Sequence, residues 1–299
     1  MSDVLIIGTV ALDTIETPFG KVERCLGGSA TYASVSASFF SKPAVLSIVG
    51  NDFPKEHLEF LKMKGINLEG MQISGKTFHW EGSYEFDMND AKTRKTELNS
   101  IENFKVKIPE SLKMAKYVFL ANIDPEQQLE TLNQLSKPEF VVMDTMNLWI
   151  NIKKDAVIEV MKKADVVLLN DGEARMLFMT VSLVKAANEA LKLGPKAVII
   201  KKGEHGALLF TKEKHFSAPG YPLENIKDPT GCGDCFGGGF IGYLAKTKDF
   251  SETNFRKAII YGSVIASFNA EDFGPERLRN LAMDDIEKRF KEMKEIREF

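Results

Sequence analysis

Short apolar runs recur along this chain, with stretches of helical periodicity between many of them. Val4–Ile7, Val45–Val49, Tyr117–Ala121, Phe140–Met143, Val166–Leu169 and Ala197–Ile200 are rich in β-branched or aromatic residues and read as buried strands. Glu126–Leu135, Lys153–Lys163 and Leu183–Leu193 read as helices. Strand, helix and strand alternating at this spacing predict an α/β fold, with a central, mostly parallel sheet covered by helices on both faces. The 299 residues suit a single domain of this kind, and no internal repeat interrupts it.

One segment has a different period. Phe78, Trp80, Gly82, Tyr84, Phe86 and Met88 alternate with His79, Glu81, Ser83, Glu85 and Asp87. Period two predicts a long strand with one apolar face. Asn89-Asp90 is a turn signal, and Thr93–Leu98 can return as its partner. Asp13–Arg24 is a second strand-like piece. Together these predict a small antiparallel β lid from about residues 13–25 and 76–100, whose aromatic face covers a ligand. The plainer alternative is a half-buried edge hairpin. At the other end, Ile286, Phe290, Met293 and Ile296 mark an amphipathic surface helix.

Charge and composition narrow the partners. The formal net charge is -3 and no block of Lys or Arg stands out, which argues against nucleic acid. No apolar run approaches the ~20 residues of a membrane helix. Residues 1–10 read as a first strand and carry no basic leader. Three cysteines are too few for a disulfide framework, so a reducing, cytoplasmic setting is expected.

The chemistry concentrates in Asp228-Pro-Thr-Gly-Cys-Gly-Asp-Cys-Phe-Gly-Gly-Gly-Phe-Ile241. Gly231 and Gly233 give the backbone unusual freedom and leave amides unobstructed. A helix is expected to start near Gly233, and its unpaired N–H groups suit a phosphate or a developing negative charge. Asp234 falls in the first turn, where a carboxylate can take a proton from a hydroxyl while the amides of Gly231, Cys232 and Gly233 hold the group in transfer. The bland reading is that Asp234 caps the helix. A second alternative is that Cys232 and Cys235 form a redox or zinc-binding Cys-x-x-Cys, with Cys232 acidified by the helix terminus.

This run resembles the C-terminal signature of the ribokinase-like (PfkB) carbohydrate kinase family, usually Asp-Thr-x-Gly-Ala-Gly-Asp, with Pro229 and Cys232 as departures. The resemblance implies an ATP-dependent kinase that phosphorylates a hydroxymethyl group of a sugar or sugar derivative, with Asp234 as base and Asp228 in the ATP-side loop. It implies that Asp13, in Gly8-Thr-Val-Ala-Leu-Asp13, binds substrate hydroxyls, and that Gly27-Gly28 is the lid hinge. Asn170-Asp-Gly-Glu173 matches the family's Asn-x-x-Glu element, which helps hold magnesium and phosphate through water. Lys202-Gly-Glu-His-Gly206 matches its nucleotide turn, assigning Gly203 and Gly206 to ATP. Lys201, the neighbouring ATP-side candidate, stands where Thr is usual. Asp144 and Asn147 resemble a further element near the phosphates.

The substrate region departs most. Ser29-Ala-Thr-Tyr32 replaces the usual Lys-Gly-Ala-Asn, and Ala11 stands where an Asn is common. Two polar sugar contacts are missing, so Tyr32 and the aromatic lid face (Phe78, Trp80, Tyr84) are expected to stack on a planar or apolar group. A nucleoside kinase is therefore the alternative within enzymes. A non-enzymatic sugar or nucleotide sensor is the alternative outside them. A homodimer through the lid and a monovalent cation near Asp228 and 269–274 complete the expectations. There is no Gly-x-x-x-x-Gly-Lys phosphate loop and no Gly-x-Gly-x-x-Gly after the first strand.

Overall fold

The computed structural model describes residues 2–298. Its strands are β1 (Val4–Ile7), β2 (Ala11–Thr17), β3 (Gly20–Gly27), β4 (Pro43–Val49), β5 (Asn67–Ile73), β6 (His79–Ser83), β7 (Lys92–Glu97), β8 (Tyr117–Leu120), β9 (Phe140–Met143), β10 (Val166–Asn170), β11 (Ala197–Lys201), β12 (Ala207–Thr211) and β13 (His215–Ala218). Nine of them form one sheet in the order β13-β12-β11-β10-β9-β8-β1-β4-β5. Pairing is parallel from β5 through to β11. Only β12 and β13 join antiparallel, through β11. Each apolar run expected as a buried strand is one.

The helices are α1 (Ser29–Ala37), α2 (Lys55–Met63), α3 (Pro125–Gln134), α4 (Asn147–Ile152), α5 (Lys154–Lys163), α6 (Asp171–Phe178), α7 (Leu183–Lys192), α8 (Cys232–Thr247), α9 (Glu252–Asn269), α10 (Glu276–Arg279) and α11 (Met283–Glu295). The strand period of two splits the core into two layers. Val4 and Ile6 pack with residues of α1, α8 and α9, while Leu5 and Ile7 pack with residues of α5, α6 and α7. In α11, Ile286 and Met293 are buried and Phe290 stacks on Tyr261 of α9. Ile296 lies beyond the helix and is exposed. Among the described residues no helix is long and apolar enough to cross a membrane.

The glycine run inside α8 is a local contradiction, since each helical Gly costs about 1 kcal/mol relative to Ala. Packing explains it. A Cβ on Gly238 would lie 2.1 Å from the carbonyl oxygen of Ala33 in α1, and one on Gly237 would lie 2.4 Å from the Phe119 ring. The Ser36 hydroxyl then donates to the Cys235 carbonyl at 2.6 Å. Helices α1 and α8 therefore meet backbone to backbone.

The second sheet has the order β3-β2-β6-β7. Two expectations are corrected here. The piece from Asp13 to Arg24 is a hairpin, not one strand: Pro18 and Phe19 turn the chain between β2 and β3, and the Phe19 amide donates to Thr17 Oγ1 at 3.2 Å. The strand expected over 78–88 stops at Ser83. Both of its ladders end there: β2 pairs Glu16 with Ser83 and then turns away, and on the other side β7 starts opposite Ser83 at Lys92. Residues 84–91 form a loop, and Phe86 on it is exposed.

Substituting Gly238 by Ala tests the α1–α8 contact. Overpacking of this kind costs about 1–3 kcal/mol, so the melting temperature should fall by several degrees. A variant that melts with the wild type would contradict the backbone-to-backbone contact.

Candidate active site

The candidate residues gather at the C-terminal ends of the parallel strands, where open α/β sheets present their crevices. Asp144 follows β9, Asn170 ends β10 and Lys201 ends β11. Asp13 comes from β2, in the small sheet.

Asp13 is 4% exposed. A Cβ on Gly27, its neighbour across the hairpin, would lie 1.9 Å from Asp13 Oδ2, so only glycine leaves room for the carboxylate. Gly28 has φ +92°, and a Cβ there would meet the Thr9 carbonyl at 2.5 Å. The di-glycine thus has a direct steric cause. Burial pushes Asp13 up to about 7; the amides of Gly28 and Trp80 oppose the rise, while Asp228 and Asp234 add to it. Asp13 Oδ1 is buried without a hydrogen-bond partner. Beside it, the Trp80 indole lies along Gly82, where a Cβ would sit 2.1 Å from the ring, and Trp80 Nε1 donates to Thr93 Oγ1 at 3.1 Å. Phe78, at the entry to β6, is half-buried, and its carbonyl accepts from the Leu12 amide at 3.0 Å.

Across the cleft, Gly231 is the N-cap of α8 with φ +75°. A Cβ there would strike the Tyr32 ring at 2.3 Å. Tyr32 itself is 1% exposed. It therefore props the loop from below, which corrects its expected place on a stacking surface. The helix begins one residue earlier than expected, at Cys232. The Cys232 amide donates to the Pro229 carbonyl at 3.1 Å, so it is not free to bind an anion. Among the described residues the Gly231 and Gly233 amides have no such backbone acceptor. Asp234 is half-buried in the first turn, and its side chain bonds to no other residue's amide, so it does not cap the helix in the usual sense. Burial pushes it up to about 7; Asp144 adds to the rise and Lys201 opposes it. Asp228 is fully buried and accepts from the amides of Thr230 (2.9 Å) and Gly274 (3.0 Å).

The third group is ionic. The Lys201 ammonium pairs with Asp144, both largely buried. Burial pulls the Lys201 ammonium toward the neutral form, but Asp144, Glu173 and Asp234 around it outweigh that and raise it above the ordinary lysine value. Burial pushes Glu173 up to about 8, with Lys201 opposing. Asn170 and Glu173 form a capping box: the Asn170 amide donates to Glu173 Oε2 and the Glu173 amide to Asn170 Oδ1, each at 2.7 Å. The motif is thus the N-terminus of α6, with Glu173 Oε1 left over. The donors are all oxygens, as magnesium prefers. Among the described residues no three His, Cys, Asp or Glu converge as a metal site, so water and phosphate oxygens would have to complete its shell. Gly203 and Gly206 bound a single tight turn after β11. Asn147, by contrast, is exposed at the start of α4 and makes no recorded side-chain bond.

The two cysteines of the Cys-x-x-Cys face different neighbours. Cys232 donates to the Ala266 carbonyl at 3.4 Å and Cys235 to the Tyr32 carbonyl at 3.8 Å. Burial pushes the Cys232 thiol up to about 12, so burial outweighs the helix terminus that was expected to acidify it. Two site contacts escaped the sequence reading. The Thr230 hydroxyl donates to Tyr84 Oη at 3.2 Å, and a Cβ on Gly203 would lie 2.3 Å from Asn89 Oδ1. Both join the 84–91 loop to the opposite wall. The only signal for either was the aromatic alternation at Tyr84 and the Asn-Asp turn.

Residues 1–279 match the family model described as pfkB family carbohydrate kinase. A cytidine kinase of Thermococcus kodakarensis is 32% identical over 260 residues, covering 84% of this chain and 92% of the relative. The crystal structure of the Methanocaldococcus jannaschii nucleoside kinase, an archaeal member of the ribokinase family, superimposes with a TM-score of 0.77 at 21% identity, covering 98% of this chain and 99% of that one. An E. coli structure in complex with ATP and Mg2+ gives 0.81 at 20% identity, covering 98% and 100%. The fold is therefore ribokinase-like.

The buried acids make a stability prediction. The folded-state pKa of Asp13 lies above its ordinary 3.8, so its favourable contribution is present at low pH and is lost as pH rises through about 7. The full loss is on the order of 4 kcal/mol. Asp13→Asn should raise the melting temperature more at about pH 8 than at about pH 5. An equal shift at both values would contradict the burial of an ionisable Asp13.

Proposed function

The chain belongs to the pfkB family of carbohydrate kinases, and on that premise we propose that its acceptor is a nucleoside, phosphorylated on the hydroxymethyl group of its sugar. The chain is an ATP-dependent phosphotransferase, a sugar or nucleoside kinase. The observation that carries the narrower reading is the unpartnered Asp13 carboxylate oxygen on β2, with Trp80 on the adjoining strand β6. A buried carboxylate oxygen without a partner suits a sugar hydroxyl, because only a donor from the ligand can satisfy it. The Trp80 indole, packed over Gly82 on the adjoining strand, offers an aromatic surface for a planar base. The likeness to a cytidine kinase supports the same reading.

In this reading Asp13 orients the sugar and the small sheet acts as a lid. Asp234 accepts the proton of the CH2OH group as its oxygen attacks the γ-phosphorus; the bond to the β,γ-bridging oxygen breaks and ADP leaves. The Gly231 and Gly233 amides at the start of α8 stabilise the charge on the phosphoryl group. The 84–91 loop, latched by Tyr84 on Thr230, keeps water from competing with the acceptor. Magnesium, held by Glu173 and Asn170 through water, would supply charge neutralisation when bound. A monovalent cation beside Asp228 belongs to the same reading, since Asn269 Oδ1 is buried without a hydrogen-bond partner. So do a cytoplasmic home and a homodimer through the lid.

Rates of ADP release with Mg-ATP, measured against nucleosides and free sugars, test the proposal. A nucleoside should exceed ribose in kcat/KM. Trp80→Leu should reduce that advantage by about 10–100-fold, the worth of one stacked base, and leave ribose unchanged. A free sugar matching every nucleoside, or an equal loss for both acceptors, would overturn it.

A further inference from the structure

We propose that Lys201 is a catalytic residue of this kinase, donating to the phosphoryl group in transfer from beside the Gly233 amide, with Asp144 as the positioning residue that aims it. The proposal rests on the kinase reading and deepens it. Lys201 ends β11, in register with Asn170 of β10. A Cβ on Gly233 would lie 3.3 Å from Lys201 Nζ, so the missing side chain at 233 lets the ammonium stand against the first turn of α8. The positive end of a helix and a fixed cation thus converge on one spot. An ammonium carries three protons, and among the described residues Lys201 donates to one acceptor, Asp144 Oδ2. The side chain keeps 15% of its surface open, enough for a ligand to reach it.

Charge balance points the same way. Asp144, Glu173 and Asp234 gather around a single ammonium, so a phosphoryl group arriving there meets carboxyl oxygens with one cation among them. A cation fixed among them attracts the charge of the transferring group. The structural alternative is that Lys201 exists only to neutralise Asp144. In that case the defect of a neutral residue at 201 would be cured by neutralising Asp144 as well.

The experiment compares wild type, Lys201→Met and the Lys201→Met/Asp144→Asn double variant, with folding followed by melting temperature. Calorimetry gives the affinities for Mg-ATP and Mg-ADP without acceptor. A contact to the terminal phosphoryl group should make Lys201→Met weaken ATP about ten-fold more than ADP, as loss of a charge-assisted hydrogen bond does. The kcat should fall about 10²–10³-fold, with the KM of the acceptor little changed, and the double variant should fold without recovering it. Equal weakening of ATP and ADP would overturn the proposal, as would recovery of kcat in the double variant. Loss of all ATP binding and turnover in the wild type would instead overturn the kinase reading.

Discussion

The Ala33 carbonyl occupies the space that a side chain at position 238 would need, and this close approach of α1 and α8 sets the distance between the two halves of the site. Helix α1 starts directly after Gly28, whose partner Gly27 makes room for Asp13. Helix α8 starts directly after Gly231, which rests on Tyr32 of α1. Asp13 and Asp234 are therefore tied to the two helices that meet in one backbone contact. A methyl group at 238 would separate the helices and spread the site by a comparable amount.

The electrostatics of the cleft run against stability. Asp13, Asp144 and Asp228 are almost fully buried, and burial pushes each of them up from the ordinary carboxylate value. A fold selected only for stability would place apolar groups there. The arrangement makes sense if hydroxyls, phosphate and cations are the intended partners of these groups. Among the described residues, Lys201 is the one cation set among Asp144, Glu173 and Asp234.

Most of the fold is legible in the sequence because parallel strands buried on both faces have no polar positions to blur them. Phe140–Met143 and Val4–Ile7 have the boundaries their composition suggests. The small sheet is harder to read. Period two continues through Phe86 and Met88, yet a strand needs a ladder partner, and local sequence does not show that β2 has already turned at Pro18. Within the site, the signature run points to Gly231 and Asp234, which stand at the N-cap and in the first turn of α8. Tyr32 is misleading because a stacking aromatic and a buried prop look alike in one dimension. Cys232 is misleading for a related reason: the helix terminus is visible in sequence, whereas the burial that dominates its acidity is not. The Tyr84–Thr230 contact spans 146 positions and has no local signature.

The most direct test follows one turnover of labelled γ-phosphate from Mg-ATP to a nucleoside, in wild type and in Asp234→Asn, with the labelled position of the product read by NMR. The account predicts transfer to the sugar CH2OH group in the wild type. In the variant, the same product should form about 10²–10⁴-fold more slowly, as loss of a general base implies, with Mg-ATP still bound. Transfer at the wild-type rate by Asp234→Asn, or label on another hydroxyl, would contradict it.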